Sequence, residues 1–121
     1  MSDGGDIGAL LREARERAAQ GEKSVMATIV RTRGSTPRKV GAKMVVLQDG
    51  LLLGSVGGGC GEADVFEAAM DVLTSNTPRL MHVDLTADET SESGDVCGGI
   101  MDVFIEPLRF SPMIGASSSP D

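Results

Sequence analysis

Two cysteines set among glycines, and one run of basic residues, are the parts of this sequence best suited to chemistry. Cys60 lies in Gly54-Ser55-Val56-Gly57-Gly58-Gly59-Cys60-Gly61-Glu62, between a β-like and a helical pattern. Glycines there let backbone N–H groups point at a ligand, and the start of a helix adds partial positive charge. A thiol in that position has its thiolate favoured, which suits a nucleophile or a soft-metal ligand. Glu62 and Asp64 fall in the first helical turn and partly cancel that field, and a lone cysteine also serves as a small buried apolar residue. Cys97-Gly98-Gly99 repeats the theme just ahead of a strand-like segment. The spacing fits neither the dinucleotide fingerprint nor the phosphate loop of nucleotide hydrolases.

The basic run extends from Arg31 to Lys43 and contains Arg31, Arg33, Gly34, Ser35, Pro37, Arg38 and Lys39. It carries +5 in a chain of net charge −7, so the remainder carries −12. Guanidinium forks interleaved with hydroxyls and glycines suit a phosphate; the alternative is a solvated loop answering acids elsewhere. A third segment, Asp84 to Gly99, is acidic at Asp84, Asp88, Glu89, Glu92 and Asp95. It lacks the ligand spacing of a calcium loop and reads as a solvated surface. His82, the sole histidine, alternates with apolar residues and reads as a half-exposed structural side chain. One histidine cannot supply a Ser-His-Asp set or a histidine metal cluster, which counts against hydrolase chemistry.

The elements that position these residues are legible as periodicities. Ile7, Leu10, Leu11, Ala14 and Ala18 predict a surface helix over about Ile7 to Gln20, with Gly21 as its stop. Ser24 to Val30 is apolar on both faces and predicts a central strand. Lys43 to Val56 predicts a hairpin turning at Asp49-Gly50 through a type I′ turn. Ala63, Phe66, Ala69, Met70 and Leu73 give a second helix ending at Asn76-Thr77-Pro78. Leu80–Leu85 and Ile100–Glu106 read as further strands. The expected fold is α/β, a single domain with a mixed β-sheet, a β-hairpin and two or more flanking helices, spanning residues 1–110. A Ser/Pro-rich tail over 111–121 has a disorder-prone composition. Strong acidity argues against nucleic acid, no apolar run is long enough to span a bilayer, and a charged N-terminus lacks signal-peptide character. Two widely separated cysteines without zinc-like pairing suit a reducing cytoplasm.

Taken together, GSTPRKVGAKMVVLQDG, GSVGGGCGE and CGGIMDVFIEP resemble the XdhC/CoxI family of xanthine dehydrogenase and CO dehydrogenase maturation factors, over about Leu10 to Pro107. The family's Gly-Ser-x-Pro-Arg loop falls on Gly34, Ser35, Pro37 and Arg38. Its Gly-Gly-Cys-x-Glu motif falls on Gly58, Gly59, Cys60 and Glu62, with Gly57 just ahead, and its second cysteine motif on Cys97, Gly98 and Gly99. The resemblance implies a cytoplasmic chaperone, not an enzyme, that binds the molybdenum cofactor (molybdopterin) transiently and passes it to an apo-molybdoenzyme. It implies cofactor phosphate near Arg31, Arg33, Ser35 and Arg38, and molybdenum facing Cys60. Longer family members carry a C-terminal Rossmann-like domain, and the Ser/Pro-rich composition after residue 110 leads us to expect none here. A separate subunit, a second copy of the chain and a cofactor sulfurase are the further partners to consider. Apart from the family, the same loops would also serve a binding or regulatory module for another phosphorylated ligand such as a nucleotide, and the acidic loop a protein-docking role.

Overall fold

The computed structural model describes residues 7–36, 38–54, 61–86 and 98–109. The elements in chain order are α1 (Ile7–Ala18), β1 (Ser24–Arg33), β2 (Lys43–Leu47), β3 (Leu52–Gly54), α2 (Glu62–Ser75), β4 (Arg79–Asp84) and β5 (Ile100–Pro107). The strands form one five-stranded sheet in the order β3-β2-β1-β5-β4, so the segment predicted to be central is central. All four pairings are antiparallel, which corrects the expectation of a mixed sheet. The helical crossover through α2 joins β3 to β4, strands at opposite edges. Its parallel pair is therefore never adjacent, and every neighbour is antiparallel.

Each face has its own helix. On one, α2 lays Val65, Ala68, Ala69, Val72 and Leu73 over Val25, Ala27, Ile29, Met44, Val46, Val83, Met101, Val103 and Ile105. On the other, α1 covers only the β2 side, where Ala14 packs with Val45 and Leu47, and Leu10, Met26, Leu53 and Leu108 lie against them. Among the described residues, nothing covers the rest of that outer face, toward β4: Leu80 is 63% exposed.

The helix ends follow their sequence signals. At the end of α1, Glu22 N–H donates to Arg17 O and Gly21 N–H to Ala18 O, the paired bonds of a Schellman ending. Arg17 then reaches Glu13 at 3.2 Å, Glu22 at 3.0 Å and Asp49 at 3.3 Å, tying the helix to the hairpin turn. At the end of α2, Asn76 adopts φ 61° and its N–H donates to Val72 O at 2.7 Å.

The β2–β3 hairpin forms, but not through the predicted two-residue turn. Gly50 N–H donates to Leu47 O, Leu47 N–H donates to Leu51 O, and of the loop residues only Gly50 has positive φ, at 93°. Asp49 instead accepts Leu51 N–H on its side chain at 3.0 Å. One left-handed glycine closes a three-residue loop without forcing Asp49 into a strained backbone.

Ile29 is fully buried at the centre of the sheet. Ile29→Ala is expected to cost about 2–5 kcal/mol in urea unfolding, while Leu80→Thr on the open face shifts stability by no more than about 0.5 kcal/mol.

Candidate functional site

Antiparallel order fixes where the loops emerge. β1 ends at Arg33, β3 ends at Gly54 and β4 ends at Asp84, all at one end of the sheet; β2 and β5 begin there, and so does α2. The basic loop, the segment containing Cys60 and the segment containing Cys97 therefore all leave from and return to the same end. The opposite end carries the α1–β1 connection, the hairpin turn and the α2–β4 connection.

Two of the three motifs touch directly. Arg33 pairs with Ile100 at the last rung of the β1–β5 ladder, and just beyond it the buried Gly99 slides beneath the start of the basic loop. A methyl group on Gly99 would stand 2.6 Å from Ser35 O, 2.7 Å from Arg33 O and 2.7 Å from Thr36 Cγ2. A methyl on Gly34 would in turn stand 3.2 Å from Gly99 Cα. Glycine is thus required at 99 by backbone proximity. Gly99 O also accepts Leu85 N–H at 2.8 Å, closing the base of the acidic loop. Gly98 differs: it is exposed, and a methyl there would meet nothing within 4 Å.

The third motif is represented by Gly61, which caps α2. Its φ of 76° is left-handed, its carbonyl accepts Val65 N–H, and no side chain caps the helix. A methyl on it would lie 3.0 Å from Val83 Cγ1 and 3.1 Å from Leu85 Cδ2, so the helix start is seated against the end of β4. Glu62 opens α2.

A β-bulge between Ile29 and Arg31 reorganises the basic residues. Before it, Val25, Ala27 and Ile29 face α2. Strict alternation would send Arg31 and Arg33 to that same apolar face. The extra residue, Val30, reverses the parity, so that Arg31 pairs beside Asp102 and Arg33 beside Ile100 on the open face. These arginines therefore belong to the strand and not to the loop. Asp102 there accepts from Arg31 Nε at 3.1 Å on one oxygen, and its other oxygen lies 2.8 Å from His82 Nδ1. The hydrogen bonds from His82, and then from Arg31, hold the Asp102 carboxyl below its usual range. Arg31, Thr32, Arg33, His82, Ile100 and Asp102 line a pocket of about 180 Å³.

Sequence reasoning placed neither His82 nor Asp102 in a site. An acid alternating with core residues on a strand was the available signal for Asp102. Ser35 and Arg38 are exposed in the basic loop, where Thr36 Oγ1 donates to Arg38 O at 2.9 Å. Among the described residues, neither Arg33 nor Arg38 has a carboxylate partner. Pro37, Gly57, Gly58, Gly59, Cys60 and Cys97 lie outside the described residues, as does the 111–121 tail. Among the described residues, no group of three or more His, Cys, Asp or Glu could hold a metal ion, and no helix is long and apolar enough to cross a membrane.

Residues 17–84 match the family model described as the XdhC and CoxI family. The chain is 38% identical over 110 residues to the protein YqeB of Escherichia coli K12, covering 88% of this chain and 20% of that protein. It is 35% identical over 103 residues to PaoD of the same organism, a molybdenum cofactor insertion chaperone, covering 83% of this chain and 31% of PaoD. The crystal structure of a xanthine dehydrogenase from Bacillus halodurans superposes with a TM-score of 0.68 at 33% identity, over 83% of this chain and 30% of that one. The chain thus spans between about a fifth and a third of each of these proteins.

Gly99→Ala is expected to cost about 2–3 kcal/mol in thermal or urea unfolding, because the methyl meets backbone carbonyls that cannot yield, while Gly98→Ala is tolerated. Acid titration gives a second outcome. A depressed aspartate stabilises the fold above the unfolded value of about 3.9 and loses that contribution as pH falls through the lower folded value. The stability gap between the parent and Asp102→Asn should therefore narrow when urea titrations are repeated below about pH 4.

Proposed function

The chain belongs to the XdhC and CoxI family, and on that premise we propose that it is an accessory maturation factor for a molybdenum hydroxylase, holding the molybdenum cofactor as cargo and passing it to the apo-enzyme. The observation that carries this reading is the packing of Gly34–Thr36 directly on Gly99, with Gly61 seated at the same end of the sheet. Motifs far apart in sequence then serve one ligand.

The phosphate end of the cargo fits the residues present. Arg33 and Arg38 are exposed and lack carboxylate partners among the described residues, Ser35 offers a hydroxyl, and the space above Gly98 is open to a ligand approaching the backbone. Guanidinium–phosphate hydrogen bonds are among the stronger polar contacts, worth about 1.5–3 kcal/mol each. In this reading Cys60, next in sequence to Gly61, supplies a thiolate to the molybdenum end, since sulfur is the soft donor of this chain. Cys97 is a second or alternative sulfur, and Glu62 accepts the thiol proton. The name of PaoD as a cofactor insertion chaperone supports the cargo role, and likeness to a xanthine dehydrogenase structure supports a client of that class.

Holding without chemistry makes a distinct requirement: the cargo must leave. Exposed arginines favour moderate, reversible affinity. Native mass spectrometry of the chain mixed with isolated cofactor tests the reading. The parent should retain cofactor, Cys60→Ser should retain much less, and Arg38→Ala should weaken retention by about tenfold or more through lost phosphate contacts. Equal retention by both variants and the parent would sink it. Binding of nucleotides in preference to the cofactor would favour a phosphorylated-ligand module instead.

A further inference from the structure

We propose that the pocket on the open sheet face, bounded by Arg31, Arg33 and His82, is a subsite for a phosphate monoester. Its assignment to the cargo's own phosphate rests on the maturation-factor reading; the existence of the subsite does not.

Two guanidinium groups and one imidazole converge there, and one acid orients Arg31 and His82. Arg31 engages Asp102 through Nε, which leaves its two Nη nitrogens to form a fork toward an oxyanion. His82 engages the same carboxylate through Nδ1, which leaves Nε2 for a ligand. Arg33, beside Ile100, has no carboxylate partner among the described residues. Asp102, with a side chain 14% exposed, has both oxygens occupied by these neighbours, whereas Arg31 and His82 are 75% and 64% exposed. The pocket of about 180 Å³ is lined by two permanent cations, one titratable ring and one engaged carboxylate.

This arrangement depends on the bulge at Val30. Without that residue both arginines would point toward α2 and the pocket would have no cationic wall. A bulge of this kind re-aims side chains, and here it re-aims the two that recognise anions. Among the described residues, the charged groups near His82 are Asp102 from β5, Arg31 and Arg33 from β1, and Asp84 two residues along β4; α2 lies on the opposite face.

The single histidine gives a clean readout, since its ring C–H resonances cannot be confused with others. The full chain is titrated with inorganic phosphate and, separately, with sulfate at neutral pH. Both anions should shift the His82 resonances saturably. Affinity should fall about ten- to a hundredfold in Arg33→Ala, the loss of one charge-assisted contact. Unfolding curves establish that Arg33→Ala remains folded. Absence of a saturable shift, or equal affinity in Arg33→Ala, overturns the subsite. If Arg31→Ala, at a pocket residue outside the loop contacts of that reading, loses both phosphate binding and cofactor retention, the occupant is the cargo's phosphate. If it loses phosphate binding alone, the subsite stands for a free phosphate ester, and its link to the cargo is refuted. Loss of cofactor retention in Cys60→Ser bears only on the maturation-factor reading.

Discussion

The structure depends on how closely β1 and β5 can approach at one end of the sheet. Their ladder runs from Val25 opposite Pro107 to Arg33 opposite Ile100, and it is the spine to which β2 and β4 attach. Beyond the last rung, the turn after β1 and the residue before β5 must share the same space. Only a residue without a side chain satisfies that constraint, because a methyl group on Gly99 would stand 2.6 Å from Ser35 O and 2.7 Å from Arg33 O. This contact joins the basic loop to the second glycine motif, and through the Leu85 hydrogen bond it closes the base of the acidic segment.

A second constraint is parity. A strand presents alternate residues to alternate faces, so a charged pair two residues apart must share a face. In β1 the preceding alternation commits that face to the core under α2. Insertion of Val30 resolves the conflict by changing the face and not the residues. Arg31 then meets Asp102, an acid that would otherwise stand on an open apolar sheet face, and Asp102 in turn meets His82. The ion pairs are largely solvent-exposed, so their worth lies in orienting donors more than in stabilising the fold.

The two faces of the sheet divide the work. The α2 face holds nearly all the buried apolar surface and gives the chain its stability. The opposite face is covered by α1 only on the β2 side, and the remaining strip keeps its polar groups accessible. In the proposed role, take-up and release of a polar cargo would benefit from this separation. Ligand contacts can be made and broken on exposed strand ends and loops without disturbing the core, and β1, β3 and β4 all end at the same end of the sheet.

Much of this was legible in the sequence. Helical periodicity located both helices to within a few residues, alternation located the strands, and the apolar character of Ser24 to Val30 placed its strand at the centre. Gly34-Ser35, Gly59-Cys60 and Cys97-Gly98-Gly99 pointed to ligand-binding loops, and their order to the family. Such signals are local: propensity, period and turn chemistry act over a few residues. The sequence alone did not determine that the sheet is antiparallel throughout, that one left-handed glycine closes the hairpin, or that Arg31 and Arg33 face away from α2. Nor did it bring Asp102 and His82 beside them. Each of those outcomes depends on which strands become neighbours and in what register, and a single inserted residue reverses the face of everything after it. Contacts between residues 71 positions apart, such as Arg31 with Asp102, exist only once that register is set.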